Sequence, residues 1–216
     1  MDPWLRQVCD HADFQELQSR FSDSARSQLS RYISELVSWN SKVRLTSDSR
    51  PEFIIKRHLF DSLQFARLMH SGLKCVDIGS GGGFPGIPVR ILFPENSMTF
   101  IESRRKRCSF LRHASRQLEL TGSKTHEGRA EEIVSEFSEP FQAVLFRGFS
   151  SLPDNLEVGS LYLEEGGFIY VQKEAGEEEL EYLASQSGWN LFRQIAYDGY
   201  EGRRSYILQI QKTVDS

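Results

Sequence analysis

A short apolar run, Leu73 to Ile78, empties into four glycines within five positions, and the stretch Val76-Asp-Ile-Gly-Ser-Gly-Gly-Gly-Phe-Pro-Gly-Ile-Pro-Val89 then enters a helix. No other segment constrains the chain as strongly. An apolar run bounded by glycine is the profile of a parallel strand covered on both faces, and parallel strands need crossover connections. So many glycines weaken a turn unless the backbone must take positive φ or a ligand must come close to it. The loop is therefore expected at the carboxyl end of the first strand, where open α/β sheets bind ligands. Pro85 and Pro88 suit a helix start, where their missing N–H groups are not required.

The rest of the chain divides near residue 72. Before it the pattern is helical. Leu29, Tyr32, Ile33, Leu36 and Val37 form a stripe at three- and four-residue spacing over Ala25–Trp39, and Pro51 opens a second helical run. The spacing predicts a helical cap over residues 1–71 and an α/β domain over residues 72–216, with room for the two to behave as one structural unit. In the second part, strands are expected at Met98–Ile101, His126–Gly128, Phe141–Phe146 and Phe168–Gln172. They alternate with helices at Gly86–Phe93, Arg104–Leu120, Ala130–Phe137, Leu156–Glu164 and Glu177–Ser187. Trp189–Tyr197 and Ser205–Gln211 then read as an antiparallel pair at one edge. This order predicts a Rossmann-like sheet with helices on both faces.

Two ligand classes use such a loop. Gly81, Gly83 and Gly86 nominally satisfy a dinucleotide fingerprint, a weak signal by itself. Asp77, just before the loop, favours a cationic ligand, and S-adenosylmethionine carries an ammonium and a sulfonium but no pyrophosphate. Glu102, about 20 residues beyond the loop, is placed to accept from ribose hydroxyls and suits either cofactor. The absence of a GxxxxGKS or GxxxxGKT loop argues against a P-loop nucleotidase. Cys9, Cys75 and Cys108 are an odd number without CxxC spacing, so reduced thiols in a cytoplasmic protein are expected rather than disulfides or a zinc site. The N-terminus carries Asp2, Arg6, Asp10 and Asp13 and no apolar h-region, no stretch is long enough to span a bilayer, and no metal site is expected.

Several motifs together resemble the RsmG/GidB family, which methylates N7 of a guanosine in 16S ribosomal RNA. Besides the glycine loop, they are Trp39-Asn40 with Leu45-Thr46, His58-Leu-Phe-Asp-Ser-Leu63, and Glu102-Ser103 with Lys106-Arg107 and Phe110-Leu111. Arg129-Ala-Glu-Glu132 and Arg147-Gly-Phe-Ser-Ser-Leu152 complete the series. The resemblance implies a class I methyltransferase fold, S-adenosylmethionine as cofactor, and the 16S rRNA of the 30S subunit as partner. No membrane or obligate protein partner is implied, and a monomer is expected. Carried onto this chain, the cofactor contacts would be Gly79, Gly81 and Phe84 in the loop, Ala130, Glu131 and Arg147, with Glu102 holding the ribose by analogy of fold and Asp77 helping through the loop. Gly82 stands where the family often has Ala or Pro. Phe146 and Gly148 flank Arg147 where Ser and Ala are common.

Guanine N7 bears a lone pair and no proton at neutral pH, so methyl transfer to it needs no general base. Arg147 then has two open roles: orienting the guanine through its acceptors, or holding the cofactor carboxylate. Net charge is −4, which excludes a global field attracting nucleic acid and leaves only local basic patches. The expected phosphate-contacting residues are Arg104, Arg105 and Lys106 on the long basic helix, with Arg203 and Arg204 in the last turn. His58 and Asp61, three apart on one helical face, are expected to brace the cap as a hydrogen-bonding pair. Two other activities fit the loop alone: a nicotinamide-dependent oxidoreductase and a non-catalytic RNA-binding scaffold. The same fold with another methyl acceptor is a third.

Overall fold

The computed structural model describes residues 2–174 and 177–213. Helix α1 (Pro3–Cys9) starts where the Asp2 carboxylate accepts from the Trp4 and Leu5 N–H groups. After a 3₁₀ stretch at Ala12–Arg20 comes α2 (Asp23–Asn40), capped by the Ser22 hydroxyl, with Leu29, Tyr32, Ile33 and Leu36 buried. Helices α3 (Pro51–Phe53) and α4 (Phe60–Ala66) are joined by a π-wound segment, Ile54–Leu59.

Strands β1 (Lys74–Ile78), β2 (Ser97–Glu102), β3 (Ser123–Glu127), β4 (Phe141–Phe146) and β5 (Leu163–Lys173) run parallel. β6 (Trp189–Asp198) and β7 (Arg204–Lys212) form a hairpin whose second strand inserts against β5, so the order is β3-β2-β1-β4-β5-β7-β6. The order reverses between β1 and β4, which opens a crevice at their carboxyl ends. The crossover helices are α5 (Gly86–Leu92), α6 (Arg105–Gln117), α7 (Leu152–Ser160) and α8 (Glu177–Ser185).

Side-chain alternation assigns the two faces of the sheet. Val76, Ile78, Val144 and Phe146 point into a cluster with Leu156 and Leu208. Cys75, Ala143 and Leu145 point the other way, into a cluster continuous with Leu29, Leu36 and Leu63 of the N-terminal helices.

Two expected helices differ. Ala130–Phe137 contains only turns and a 3₁₀ segment at Val134–Glu136. Eight residues closed by Ser138-Glu-Pro140, with β-branched Ile133 and Val134 at their centre, are too short to sustain an α-helix without a strong face. The helix expected at Leu156–Glu164 lies four residues earlier, because Ser151 is its N-cap, accepting from the Asp154 N–H, and Pro153 sits in its first turn. The residues released lengthen β5, whose register on β4 shifts between Phe141 and Ala143.

Candidate active site

The glycine loop leaves β1 at the β1/β4 switch point. Gly79, Gly81 and Gly83 all have positive φ (73°, 55° and 91°), a conformation that glycine alone takes freely. The turn is secured from β2: the Gly79 N–H donates to the Ile101 carbonyl at 2.9 Å and the Gly81 N–H to Glu102 Oε2 at 3.0 Å. It is secured from α2 as well, because the Tyr32 hydroxyl donates to the Gly82 carbonyl at 2.6 Å. Tyr32 is fully buried, and that burial, with Asp77 nearby, holds its hydroxyl well above the ordinary phenol range, so it remains a donor.

Asp77 lies beneath the loop, 1% exposed. Its Oδ2 accepts from the Gly86 N–H at 3.0 Å, which ties the first turn of α5 to β1. Gly86 is required there by close approach: a Cβ would stand 2.6 Å from both Asp77 Oδ2 and Phe100 Cε1. Burial pushes the Asp77 carboxyl up to about 7, opposed by the Gly86 N–H and by Arg147. Asp77 therefore supports the loop from below.

Glu102 ends β2, 5% exposed, with Oε2 on Gly81 and Oε1 accepting from the Arg104 N–H at 2.8 Å. A carboxylate has about four acceptor positions, so capacity remains for the hydroxyls of a ribose. Ala130 and Glu131 follow β3, the first buried, its carbonyl accepting from the Tyr162 hydroxyl at 2.6 Å, and the second exposed. Phe84 closes the loop, its ring 5.3 Å from Tyr32 and 5.4 Å from His58.

Arg147 follows β4. By strand parity it leaves the sheet on the side of Leu145, the side covered by the N-terminal helices. Its Nη2 donates to Asp61 Oδ2 at 3.0 Å and to His58 Nδ1 at 3.0 Å, and its guanidinium stands 5.7 Å from the Phe84 ring. His58 and Asp61 thus meet at Arg147, with no hydrogen bond between them among the described residues. His58 lies in the π-wound turn, and Asp61 in the first turn of α4 just after it. Burial first, then Arg147 and Arg57, pulls the His58 imidazole down to about 3. His58 is therefore neutral, with Nδ1 accepting and the proton on Nε2. Asp61 Oδ1 in turn accepts from the Tyr197 hydroxyl at 3.2 Å, and that hydroxyl accepts from the Gln172 amide at 2.5 Å. The chain of bonds links β4, α4, β6 and β5 around a cavity of about 380 Å³ whose walls include Arg57, Gln172, Tyr200 and Arg203.

Arg104, Arg105 and Lys106 are exposed at the start of α6 and form no ion pair among the described residues. Arg203 and Arg204 are also exposed, but they pair with Glu174 and Asp198. These three cations are therefore unneutralised, whereas Arg203 and Arg204 are not, and further along α6 Arg107 and Arg112 stand near Glu102 and Glu127. Sequence reading overlooked Tyr32, Tyr197 and Gln172. Tyr32 was visible as part of an apolar stripe, but nothing marked its hydroxyl, and no local pattern announced the other two.

The reversed sheet, the terminal hairpin and the glycine loop facing a carboxylate define a class I S-adenosylmethionine-dependent methyltransferase. Solved structures share this fold: an O-methyltransferase from Bacillus cereus in complex with SAH (TM-score 0.60, 17% identity, 84% of this chain and 91% of that one) and the cofactor-bound Rv0187 from MTB (0.62, 14%, 87% and 91%). The family model of rRNA small subunit methyltransferase G, GidB, matches residues 25–204, and the chain belongs to that family. Relatives with the name ribosomal RNA small subunit methyltransferase G include one from Desulfitobacterium hafniense, 39% identical over 171 residues (77% of this chain, 71% of the relative). Another, from Pseudomonas aeruginosa, is 32% identical over 187 residues (86% of each).

Proposed function

We propose that this chain transfers a methyl group from S-adenosylmethionine to N7 of a guanosine in the 16S rRNA of the small ribosomal subunit. The observation that carries this reading is the adjacency of the glycine loop and an Arg147-lined cavity at the β1/β4 switch point. The glycine loop with Glu102 lies on one side, the Arg147-lined cavity on the other, and the Phe84 ring stands between them. The residues of the loop suit the cofactor by their donors and acceptors: positive-φ glycines permit close approach, and Glu102 retains free acceptor positions. Ala130 and Glu131, past the end of β3, would complete the set of residues that hold the cofactor.

When bound, S-adenosylmethionine supplies an electrophilic methyl on a sulfonium. The protein supplies orientation, which contributes on the order of 7–11 kcal/mol in favourable cases. No side chain needs to remove a proton, since N7 carries none. Arg147 faces the cavity that extends away from the glycine loop, so its role is to orient the guanine by donating to O6, one of the two acceptors guanine presents in the major groove. Asp61 and His58 fix the guanidinium for that task. If Arg147 instead holds the cofactor carboxylate, Arg147→Ala weakens S-adenosylmethionine binding; in the orienting role it leaves that binding intact and lowers methyl transfer.

The same reading places the enzyme in the cytoplasm, acting as a monomer on RNA within the small subunit. The three cysteines are buried and free, and among the described residues no helix is long and apolar enough to cross a membrane. The test is methyl transfer from labelled S-adenosylmethionine to 30S subunits lacking the modification, followed by nucleoside analysis. Label in 7-methylguanosine at one site is the expected result. Label in another nucleoside, or none, rejects the acceptor assignment.

A further inference from the structure

We propose that a groove between α2 and α6, outside the methyl-transfer site, holds one unpaired nucleotide of the rRNA substrate. The base would lie against the Trp39 indole, and the flanking phosphates would meet Lys42 and Lys106. The proposal rests on RNA being the substrate, as argued above.

The groove encloses about 400 Å³ and is lined by Ser38, Trp39, Lys42, Val43, Lys106 and Ser109. Its floor is built by the end of α2. The N–H groups of Lys42 and Val43 both donate back to the Trp39 carbonyl, at 2.9 and 2.8 Å, so the chain folds over and sets Val43 and Lys42 beside the indole. The ring is braced from behind by Phe110 (5.6 Å, edge-on) and His113 (5.1 Å), which leaves it rigid and half-buried rather than free to collapse into the core. An immobilised aromatic surface is what base stacking requires, and stacking accepts any base.

The charge around it points the same way. Lys42, Arg44, Arg104, Arg105 and Lys106 are all exposed, and none makes an ion pair among the described residues. The carboxylate on α2 one turn from Trp39, Glu35, is engaged by His113 at 2.7 Å. On a chain of net charge −4, two unneutralised lysines in the groove wall, with Arg44, Arg104 and Arg105 within two residues of them along the chain, form a local anion-binding surface. The surface is also coupled to the cofactor loop. Arg107, on the next position of α6, donates to the Arg44 carbonyl at 3.3 Å and stands 3.7 Å from Glu102. RNA seated here would therefore rest on the scaffold that fixes the glycine loop.

The test measures binding of 16S rRNA and its salt dependence separately from methyl transfer to 30S subunits lacking the modification. Trp39→Leu removes the stacking surface while keeping apolar bulk, and it should weaken RNA binding and raise KM for the 30S substrate by about tenfold. Lys42→Glu combined with Lys106→Glu should weaken binding further and reduce the slope of log K against log salt by about two. S-adenosylmethionine affinity serves as the control and should be unchanged. Both variants binding RNA with wild-type affinity and salt slope would overturn the proposal. If Trp39→Leu proves unstable, the lysine variants decide, since they alter only exposed side chains. RNA binding without methylation by the wild-type chain would reject the activity, and the groove would still be judged by the binding data.

Discussion

The Asp61–Arg147 pair is the feature whose removal should be felt most sharply. Both side chains are nearly inaccessible, at 11% and 13% exposure, and their atoms are 3.0 Å apart. Losing one partner of such a pair leaves an uncompensated charge, at a cost of about 3–5 kcal/mol. Asp61→Ala also strips the Tyr197 hydroxyl of its acceptor. That loss overlaps with the first and does not add in full, because the bonds share one carboxylate. A destabilisation of about 3 kcal/mol is expected. Asp61→Asn keeps an oxygen toward Arg147 and loses only the charge, so its cost should be about 1–2 kcal/mol, the difference a charged acceptor makes. Urea unfolding at pH 7.5 measures both, with the midpoint shifting at constant m. The decisive arm is Arg147→Met, in which the same Asp61→Ala change should cost at least 1 kcal/mol less because the charge it satisfied is gone. If Asp61→Ala costs the same in both backgrounds, Asp61 acts through something other than Arg147, and its role in orienting the guanidinium falls with that result.

Two buried groups should oppose each other in pH dependence. His58, lowered to about 3, stays neutral while the unfolded chain takes up a proton below about 6.5, so its contribution falls by about 2 kcal/mol between pH 7.5 and 5. Asp77, raised to about 7, holds a proton that the unfolded chain has lost above about 3.9, so stability gains about 2.5 kcal/mol over the same descent. The wild type should look nearly flat, His58→Gln should become more stable toward pH 5, and Asp77→Asn less stable; flat profiles for both variants would contradict the assignment. Gly86→Ala drives a Cβ into Asp77 and Phe100, and calorimetric titration should show S-adenosylmethionine binding lost. Tyr32→Phe leaves the Gly82 carbonyl without its donor and should lower stability by about 1–2 kcal/mol in the same urea assay, with a several-fold weaker cofactor affinity.

The parts of this architecture that were legible in the sequence depend on short-range patterns. The apolar run into glycines located β1 and its loop, because a covered parallel strand and a positive-φ turn each leave a compositional trace over a few residues. The Trp39-Asn40 and Leu45-Thr46 pairs were visible as motifs, and the structure gives their cause. Asn40 Oδ1 accepts from the Leu45 and Thr46 N–H groups at 2.7 and 3.0 Å, which folds the connector so that Leu45 packs against Gly82. What stayed hidden was long-range. The hydroxyl of Tyr197 reaches Asp61 across 136 residues, and Gln172 reaches Tyr197 from a different strand. The π-wound turn at Ile54–Leu59 was also invisible, since its composition is that of an ordinary amphipathic helix. The misplaced α7 is a different case. Its Ser151-Leu-Pro-Asp154 start is a local signal that outweighs the apolar spacing used to position the helix further on.

Strand parity connects these observations to the chemistry. Asp77 and Leu145 are register partners, and both turn toward the N-terminal helices, as Arg147 does two residues after Leu145. The two sides of the site therefore open on the same face of the sheet, and whatever covers that face touches both. The helices do so with polar atoms: Tyr32 from α2 holds the glycine loop, and Asp61 from α4 holds the arginine. A cap that only shielded the sheet would need apolar contacts there and no hydroxyl or carboxylate, since burying either without a partner is costly. Their placement ties the N-terminal helices both to the glycine loop and to the arginine at the mouth of the cavity.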